Sequence, residues 1–333
     1  NSDKRLTTPL MKKNGSLQPA TWAEALGAVA GKLKEAKSAP SSLAALVTPR
    51  LTNEELLVFK KLFKDQLGCD NIDHAAGYAH AALTAGAKES LGYPASPSVV
   101  ADIQKADLLL VVNSDLYQTH PVLGFEINLA VKRQGAALRI LSDKKGKLSR
   151  LPGAVTTIHR AGAETLLLNA IAKVILEENL GAADAQATGG FAAWQKGLES
   201  ISIDQAAEQC GISVDELKSV ARDYAKAEKA LILMPTGMGY PGNGKEMAQA
   251  VINLALLTGN IGKEGSGVLI LGEKNNSQGA ADLAIHPSNG GKGGQEIIAA
   301  CAAGSVKTLF IAGENPVVSY PNRKQVEDAL SKV

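Results

Sequence analysis

Short apolar runs alternate with helix-forming patterns along most of the chain, and this alternation constrains the fold more than any other feature. The run at 43–47 is continuously apolar, as in a strand buried on both faces, and the strand predicted at 107–112 is apolar after Asp107. Capping boxes at Thr21, Thr52 and Ser213, each with a glutamate three residues later, mark helix starts. Strands separated by helices of ten or more residues are typical of parallel sheets. The sequence therefore predicts an α/β fold with parallel sheets flanked by helices.

The remaining predicted elements follow the same order. Strands are expected at 137–141, 155–158, 231–234 and 306–312, and helices at 121–133, 163–178, 244–258 and 321–331. Gly68 and Gly135 stand where helix C-caps belong. The length of 333 residues suits two domains of roughly 100–200 residues each.

Charge and composition exclude several classes of protein. A net charge of +2, from 35 basic and 33 acidic residues, lacks the excess of positive charge typical of nucleic-acid-binding proteins. The hydrophobic fraction of 45% excludes a disordered chain. Cys69, Cys210 and Cys301 are far apart, so the chain itself offers no iron–sulfur or zinc motif, and their small number favours a reducing compartment.

The ends of the chain and its hydropathy add two expectations. No apolar run reaches the ~20 residues of a membrane span. The chain begins with Asn1 rather than methionine and has no signal peptide, so we expect a piece of a larger protein.

Ligands of open parallel sheets bind beyond the carboxyl ends of the strands, which directs attention to the loops there. These loops are 48–50, 113–115, 142–145, 235–239 and 313–316. None contains GxGxxG or GxxxxGK[ST], which disfavours an ordinary NAD or P-loop enzyme. The absence of GxSxG argues against nucleophilic hydrolysis.

Four segments allow both a functional and a structural interpretation. His74 and His80, six residues apart, are more typical of histidines bonded to loop backbone than of metal ligands. The glycine-rich 238–244 suits either a phosphate or a plain turn. The amide-rich segment 275–282 could bind the edge of a heteroaromatic ring or have only a structural role in its loop. The segment 313–316 is most simply interpreted as a turn.

Together these segments resemble the molybdopterin oxidoreductase family. The matching motifs are RLTTPL at 5–10 with WAEAL at 22–26, THPV at 119–122, LLTGNIG at 256–262 with GSG at 265–267, NNSQGA at 275–280, and GENP at 313–316. The resemblance covers nearly the whole chain, and the last two motifs are similar to those of formate dehydrogenase-like members.

The resemblance implies a domain arrangement. A discontinuous α/β domain at 1–80 plus 225–333 would receive an inserted Rossmann-like domain at 81–224, similar to domains 1–3 of formate dehydrogenase and DMSO reductase. The family's iron–sulfur domain, with its expected 4Fe–4S and 2Fe–2S clusters, and its C-terminal cap would lie outside this chain.

The resemblance also carries over site positions. Ala79 occupies the place of the family's metal-binding selenocysteine or cysteine, beside His80, which is left as a vestigial catalytic candidate. Gly272 occupies the place of the catalytic arginine, and a methyl group or a hydrogen can neither ligate a metal nor hold a carboxylate. The remaining candidates for pterin contacts are Asn276, Gln278, Asp282, Asp143, His120 and Gly239, with no metal ligand expected.

Three positions in the inserted domain differ from the family pattern. Asn113 replaces a glycine, and Asp115 places an acid where a dinucleotide phosphate would approach. Asp143 is kept from the family's DPR motif, but Lys145 replaces the arginine fork.

A fold retained without the metal ligand and the substrate cation suggests a non-catalytic member. The resemblance then implies the large iron–sulfur subunit of respiratory NADH:quinone oxidoreductase, with no cofactor in this segment. Its partners would be other subunits of the peripheral arm, on the cytoplasmic side of the inner membrane, with neither nucleic acid nor a membrane span.

Two alternatives stay open. One is a formate dehydrogenase alpha-like subunit that binds molybdopterin guanine dinucleotide, because some members hold the metal through Asp, Ser or no protein ligand. The other is a stand-alone nucleotide-binding protein using 238–244, which the lack of a phosphate-loop motif disfavours.

Overall fold

The chain folds into two compact units. A computed structural model describes residues 5–75, 77–235 and 243–333. The first unit combines Asn1–Gly77 with Lys274–Val333, and the second unit is Tyr78–Glu273.

Helices and strands alternate through both units. Up to residue 77 the elements are β1 (Leu10–Lys13), β2 (Ser16–Pro19), α1 (Trp22–Ala36), β3 (Leu43–Val47), α2 (Asn53–Lys60) and β4 (Ile72–Asp73). Then follow α3 (Gly77–Leu91), β5 (Leu108–Val112), α4 (Leu116–Thr119), α5 (Pro121–Leu129), β6 (Ala137–Ser142), β7 (Val155–Ile158), α6 (Glu164–Glu177), α7 (Phe191–Leu198), α8 (Ile203–Cys210), α9 (Val214–Lys226), β8 (Ala230–Pro235), α10 (Gly244–Leu257) and β9 (Gly267–Leu271). The last are α11 (Ser277–Asp282), α12 (Gly294–Ala302), β10 (Thr308–Ala312), α13 (Pro316–Ser319) and α14 (Arg323–Leu330).

The first unit is built on a parallel sheet in the order β10-β3-β4. Every residue of β3 is buried, because successive side chains enter different cores. Leu43, Ala45 and Val47 face the core that contains α1 and α2, whereas Ala44 and Leu46 face α12 and α14. A short antiparallel hairpin of β1 and β2 precedes this sheet and was not predicted.

The second unit contains a five-stranded parallel sheet in the order β7-β6-β5-β8-β9. Its first strand, β5, lies at the centre, and the chain extends the sheet first to one side and then to the other. This is the doubly wound arrangement, whose switch point lies between β5 and β8. The predicted α/β class with parallel sheets is confirmed.

The chain passes from the second unit back to the first at a later residue than predicted. The predicted insert ended at 224, whereas the second unit continues to Glu273. The reason is strand pairing, because β8 joins the sheet beside β5 and β9 joins it beside β8. The sequence around β9 indicates only a glycine motif, because Gly265 precedes the strand and Gly267 begins it.

Three further observations complete the fold. The capping boxes at Thr21, Thr52 and Ser213 are present as predicted. Cys69 and Cys301 are buried free thiols in the first unit, and Cys210 is one in the second. Within the described ranges, no helix combines the length and apolar character of a membrane span.

Replacing Gly86 by alanine is expected to destabilise the second unit by about 2–3 kcal/mol. The added Cβ of this α3 residue would lie 2.5 Å from the Lys245 carbonyl oxygen and 2.8 Å from the Ala248 Cβ of α10. Urea unfolding measures the loss. Gly197→Ala in α7 is the control, because its Cβ would have no atom of the described residues within 4 Å. Equal stability of Gly86→Ala and the parent would show that this helix contact is looser than described.

Candidate functional site

The loops after β5 and β6 are joined by an internal carboxylate. Asp115 Oδ2 accepts hydrogen bonds from the Lys147 backbone N–H at 3.0 Å and from Gln118 Nε2 at 3.1 Å. A Cβ on Gly146 would lie 2.8 Å from that carboxylate, so a glycine is required for this approach. Asp115 Oδ1 is buried and has no hydrogen-bond partner within the described ranges. The acid that sequence reasoning placed near a phosphate therefore binds a loop amide.

A second buried carboxylate lies at the start of α6. Glu164 is 2% exposed, and its Oε1 accepts from Asn113 Nδ2 at 3.0 Å and from the Gly162 N–H at 3.2 Å. Asn113 follows β5 with a left-handed φ of 49°, so the glutamate holds a strained turn in place. Glu164 Oε2 is buried without a partner among the described residues. Sequence reasoning missed Glu164, although a glutamate in the first turn of an otherwise apolar helix was a visible signal.

His159 and Thr165 add two more buried polar atoms to this end of the unit. His159 Nδ1 donates to the Arg160 carbonyl oxygen at 2.9 Å, which leaves Nε2 as an acceptor in the neutral ring. That Nε2 and Thr165 Oγ1 are buried and unbonded in the described part of the chain.

A basic loop extends beyond β6. Lys144, Lys145 and Lys147 are exposed there, next to the equally exposed Asp143 that was predicted as a pterin contact. Three ammonium groups at the carboxyl end of a parallel strand suit a phosphate-bearing ligand.

His120 and Gly272 are brought together within the second unit. His120 Nε2 donates to the Gly272 carbonyl oxygen at 2.8 Å, and His120 Nδ1 accepts from Thr119 Oγ1 at 3.0 Å. The ring is therefore fixed in the Nε2–H tautomer. The predicted contact residue His120 thus anchors the segment that contains Gly272.

His80 lies inside α3 and not in a loop, which corrects the structural interpretation of that segment. Its side chain is 4% exposed, and its carbonyl oxygen accepts from Thr84 Oγ1 at 2.9 Å. His74 is also buried, just after β4. The remaining candidate, Gly239, lies outside the described residues.

The first unit has an acidic cluster at the carboxyl end of its sheet. Glu314 follows β10, and its Oε1 accepts from the Ala75 N–H at 3.1 Å, while Asp73 Oδ2 accepts from the Gly294 N–H at 2.7 Å. Glu314 Oε2 and the hydroxyl of Tyr320, a residue that is 8% exposed, are buried without partners in the described ranges. Sequence reasoning read Glu314 as part of a turn and missed Asp73 and Tyr320.

Burial shifts the acid–base behaviour of this cluster. It raises the pKa of Glu314 to about 7, and the nearby charge of Asp73 adds to that rise. Burial likewise raises the pKa of Asp73, although the Gly294 N–H works in the opposite direction. The pKa of Tyr320 is raised by burial and by both carboxylates. Glu314 is consequently about half protonated near neutral pH.

The three predicted pterin contacts of the first unit form hydrogen bonds with other residues of that unit. Asn276 Nδ2 donates to the Leu51 carbonyl oxygen at 2.9 Å and to Asn53 Oδ1 at 3.0 Å. Gln278 Nε2 donates to Asp282 Oδ1 at 2.8 Å, one helical turn away. Asn276 therefore joins α11 to the loop after β3, and the other two form a pair on the surface of α11.

The family model for molybdopterin oxidoreductases matches residues 5–333. The chain belongs to the molybdopterin oxidoreductase family. The F420-dependent formate dehydrogenase subunit alpha of Methanocaldococcus jannaschii is 30% identical over 359 residues, covering 100% of this chain and 52% of that protein. A probable oxidoreductase, YjgC, of Bacillus subtilis is 33% identical over 293 residues, covering 86% of this chain and 29% of that protein.

A solved structure supports the same fold. Acetylene hydratase from Pelobacter acetylenicus has a TM-score of 0.78 at 20% identity, covering 99% of this chain and 52% of that one. The chain thus spans about half of the M. jannaschii relative and less of the B. subtilis one. Neither of these relatives is a subunit of NADH:quinone oxidoreductase, so the comparisons support formate dehydrogenase-like kinship and not that subunit.

No group of three or more His, Cys, Asp or Glu side chains suited to a metal ion occurs in residues 5–75, 77–235 and 243–333. A pterin dinucleotide, in contrast, needs hydrogen-bond acceptors for its ring N–H groups and hydrogen-bond donors for its phosphate oxygens. Both kinds of group lie at the carboxyl ends of strands in the second unit. The buried acceptors and the exposed lysines of the second unit are therefore of the kinds that the organic part of a molybdopterin dinucleotide would require.

Proposed function

We propose that this chain is the pterin-dinucleotide-binding core of an oxidoreductase subunit of the formate dehydrogenase alpha type. The observation that carries the proposal is the set of buried acceptor atoms without partners at the carboxyl ends of the parallel strands. In the second unit these are Asp115 Oδ1, Glu164 Oε2 and His159 Nε2. Kinship with formate dehydrogenase alpha subunits over the whole chain supports it.

The buried acceptors and the exposed lysines would bind different parts of the ligand. Pterin and guanine rings carry N–H donors. Hydrogen bonds from these donors to the buried carboxylate and imidazole acceptors would avoid the free-energy cost of leaving the acceptors unpaired. The diphosphate would meet Lys144, Lys145 and Lys147.

When bound, a molybdopterin supplies a metal that exchanges two electrons with the substrate. The residues of this chain would bind and orient the dinucleotide, and His120 would hold the 272 segment in place through its bond to the Gly272 carbonyl. Ala79 supplies no metal ligand, and Gly272 supplies no cation for a carboxylate. The proposal therefore covers cofactor binding and a redox reaction, and it does not include formate as the substrate.

Reversing two lysine charges is expected to lower pterin content about tenfold, because the diphosphate would face two carboxylates in place of two ammonium groups. The variant is Lys144→Glu with Lys145→Glu, and the protein is purified from its own host. Pterin is measured by fluorescence after oxidation, and molybdenum and tungsten by mass spectrometry. Two controls apply: Lys144→Ala with Lys145→Ala removes the charges without reversing them, and Lys196→Glu places an acid on the exposed face of α7. Unchanged pterin in the double Glu variant, or none in the parent, would contradict the proposal.

The second candidate is the large iron–sulfur subunit of NADH:quinone oxidoreductase, and the pair Ala79 and Gly272 favours it. In that case the acceptors described above hold water, and the chain packs against peripheral-arm subunits on the cytoplasmic side of the membrane, with its clusters elsewhere in the polypeptide. Iron without pterin or metal in the host-purified protein supports this candidate against the first.

A further inference from the structure

Helix α1 carries mostly apolar side chains around its first turns, yet most of its residues are exposed to solvent. Residues 22–31 contain a single charged side chain, Glu24. A helix that is apolar all round is normally buried. Yet Trp22 is 68% exposed, Leu26 59% and Val29 42%, and the helix enters the core of its unit only near its end.

The exposed side chains form one stripe. Trp22, Leu26 and Val29 follow the i, i+4, i+7 spacing that places residues on one helix face. Leu33 and Ala36, the buried residues near the end of α1, continue the same spacing from Val29, so the stripe is the solvent-exposed part of the face that packs on the core.

Positive charge surrounds the stripe at both ends. Glu24 is paired with Lys13 at 3.6 Å, and Glu35 with Lys32 at 3.0 Å. Lys12, on the hairpin beside the start of α1, and Lys34 and Lys37 at its end are exposed. A second copy of this chain would bring lysines against lysines in either orientation, which disfavours self-association.

We propose that the stripe of Trp22, Leu26 and Val29 is a docking surface for an apolar helix of a partner polypeptide whose flanks carry aspartate or glutamate. The apolar side chains would supply the buried centre of the contact, with the tryptophan as its anchor. The acidic flanks would meet the lysines at the two ends of α1 and set the orientation of the partner. The inference concerns α1 alone and does not depend on cofactor binding.

Tryptophan fluorescence tests this surface directly, because the chain has only two tryptophans. Trp194→Phe leaves Trp22 as the single reporter. The probe is a synthetic amphipathic helical peptide with a leucine and alanine face and glutamate flanks. We expect a saturable shift of Trp22 emission to shorter wavelength, and Leu26→Lys should weaken the affinity about tenfold or more.

Matched measurements separate the alternatives. Val58→Lys on α2, where the valine is 67% exposed, should leave the affinity unchanged. An equal response to the same peptide with lysine flanks would overturn the acidic partner. A shift that depends on protein concentration alone would identify a second copy as the occupant, and a response only to vesicles of anionic phospholipid would identify a membrane surface. No response to the glutamate-flanked peptide would also overturn the proposal.

Discussion

Replacing Glu314 by glutamine is expected to remove most of the pH dependence of stability between pH 4.5 and 7 and to raise the free energy of unfolding at pH 8 by about 2 kcal/mol. Burial raises the pKa of this carboxyl from 4.5 to about 7. Glutamine keeps a side-chain oxygen for the Ala75 N–H, and it does not ionise.

The sign follows from proton binding. Between pH 4.5 and about 7 the unfolded chain has lost the Glu314 proton while the folded chain retains it. Stability contributed by the protonated acid is therefore fully present below pH 4.5, falls as the pH rises, and is gone above pH 7. The raised pKa of Asp73 acts in the same direction, so a smaller slope should remain in the variant.

Urea unfolding at half-unit steps from pH 4 to 8 checks this expectation. Glu327→Gln on α14 is the control, since that exposed carboxylate is paired with Arg323 at 2.8 Å on the surface, where such pairs contribute little. Parallel pH profiles for Glu314→Gln and the parent would show that Glu314 ionises normally in the folded protein.

Local signals in the sequence were sufficient for much of the fold. The capping boxes need only a hydroxyl and a carboxylate three residues apart, and all three were predicted correctly. The strand predicted at 155–158 has those bounds, and the helix predicted at 163–178 is found at Glu164–Glu177. Neither the β1–β2 hairpin nor β9 was predicted, because short or glycine-flanked strands depend on pairing with partners and not on their own pattern.

The site depended more on distant contacts and was predicted less well. Sequence reasoning identified the strand ends where ligands bind, but not which side chains meet there. Glu314 bonds to Ala75, 239 positions away, and Glu164 to Asn113, 51 positions away. No spacing pattern encodes such contacts, since the sheet order alone decides which loops become neighbours.

Replacing Glu164 by alanine is expected to destabilise the second unit by about 3 kcal/mol. The change leaves the Asn113 side-chain amide and the Gly162 N–H without their acceptor at a position that is 2% exposed. It also leaves a cavity at the start of α6 and releases the left-handed turn at Asn113. Urea unfolding followed by circular dichroism measures the loss.

Two variants distinguish the hydrogen bonds from the mere loss of volume. Glu164→Gln keeps an acceptor oxygen, so it should recover most of the stability that alanine loses. Glu177→Ala, at the other end of α6, removes a surface pair with Lys173 and should change stability by less than about 0.5 kcal/mol. If glutamine were as damaging as alanine, the negative charge itself would be required at this position. A carboxylate that must be charged, yet has one buried oxygen unbonded in the described residues, would then point to a positively charged or N–H-bearing ligand as its missing partner.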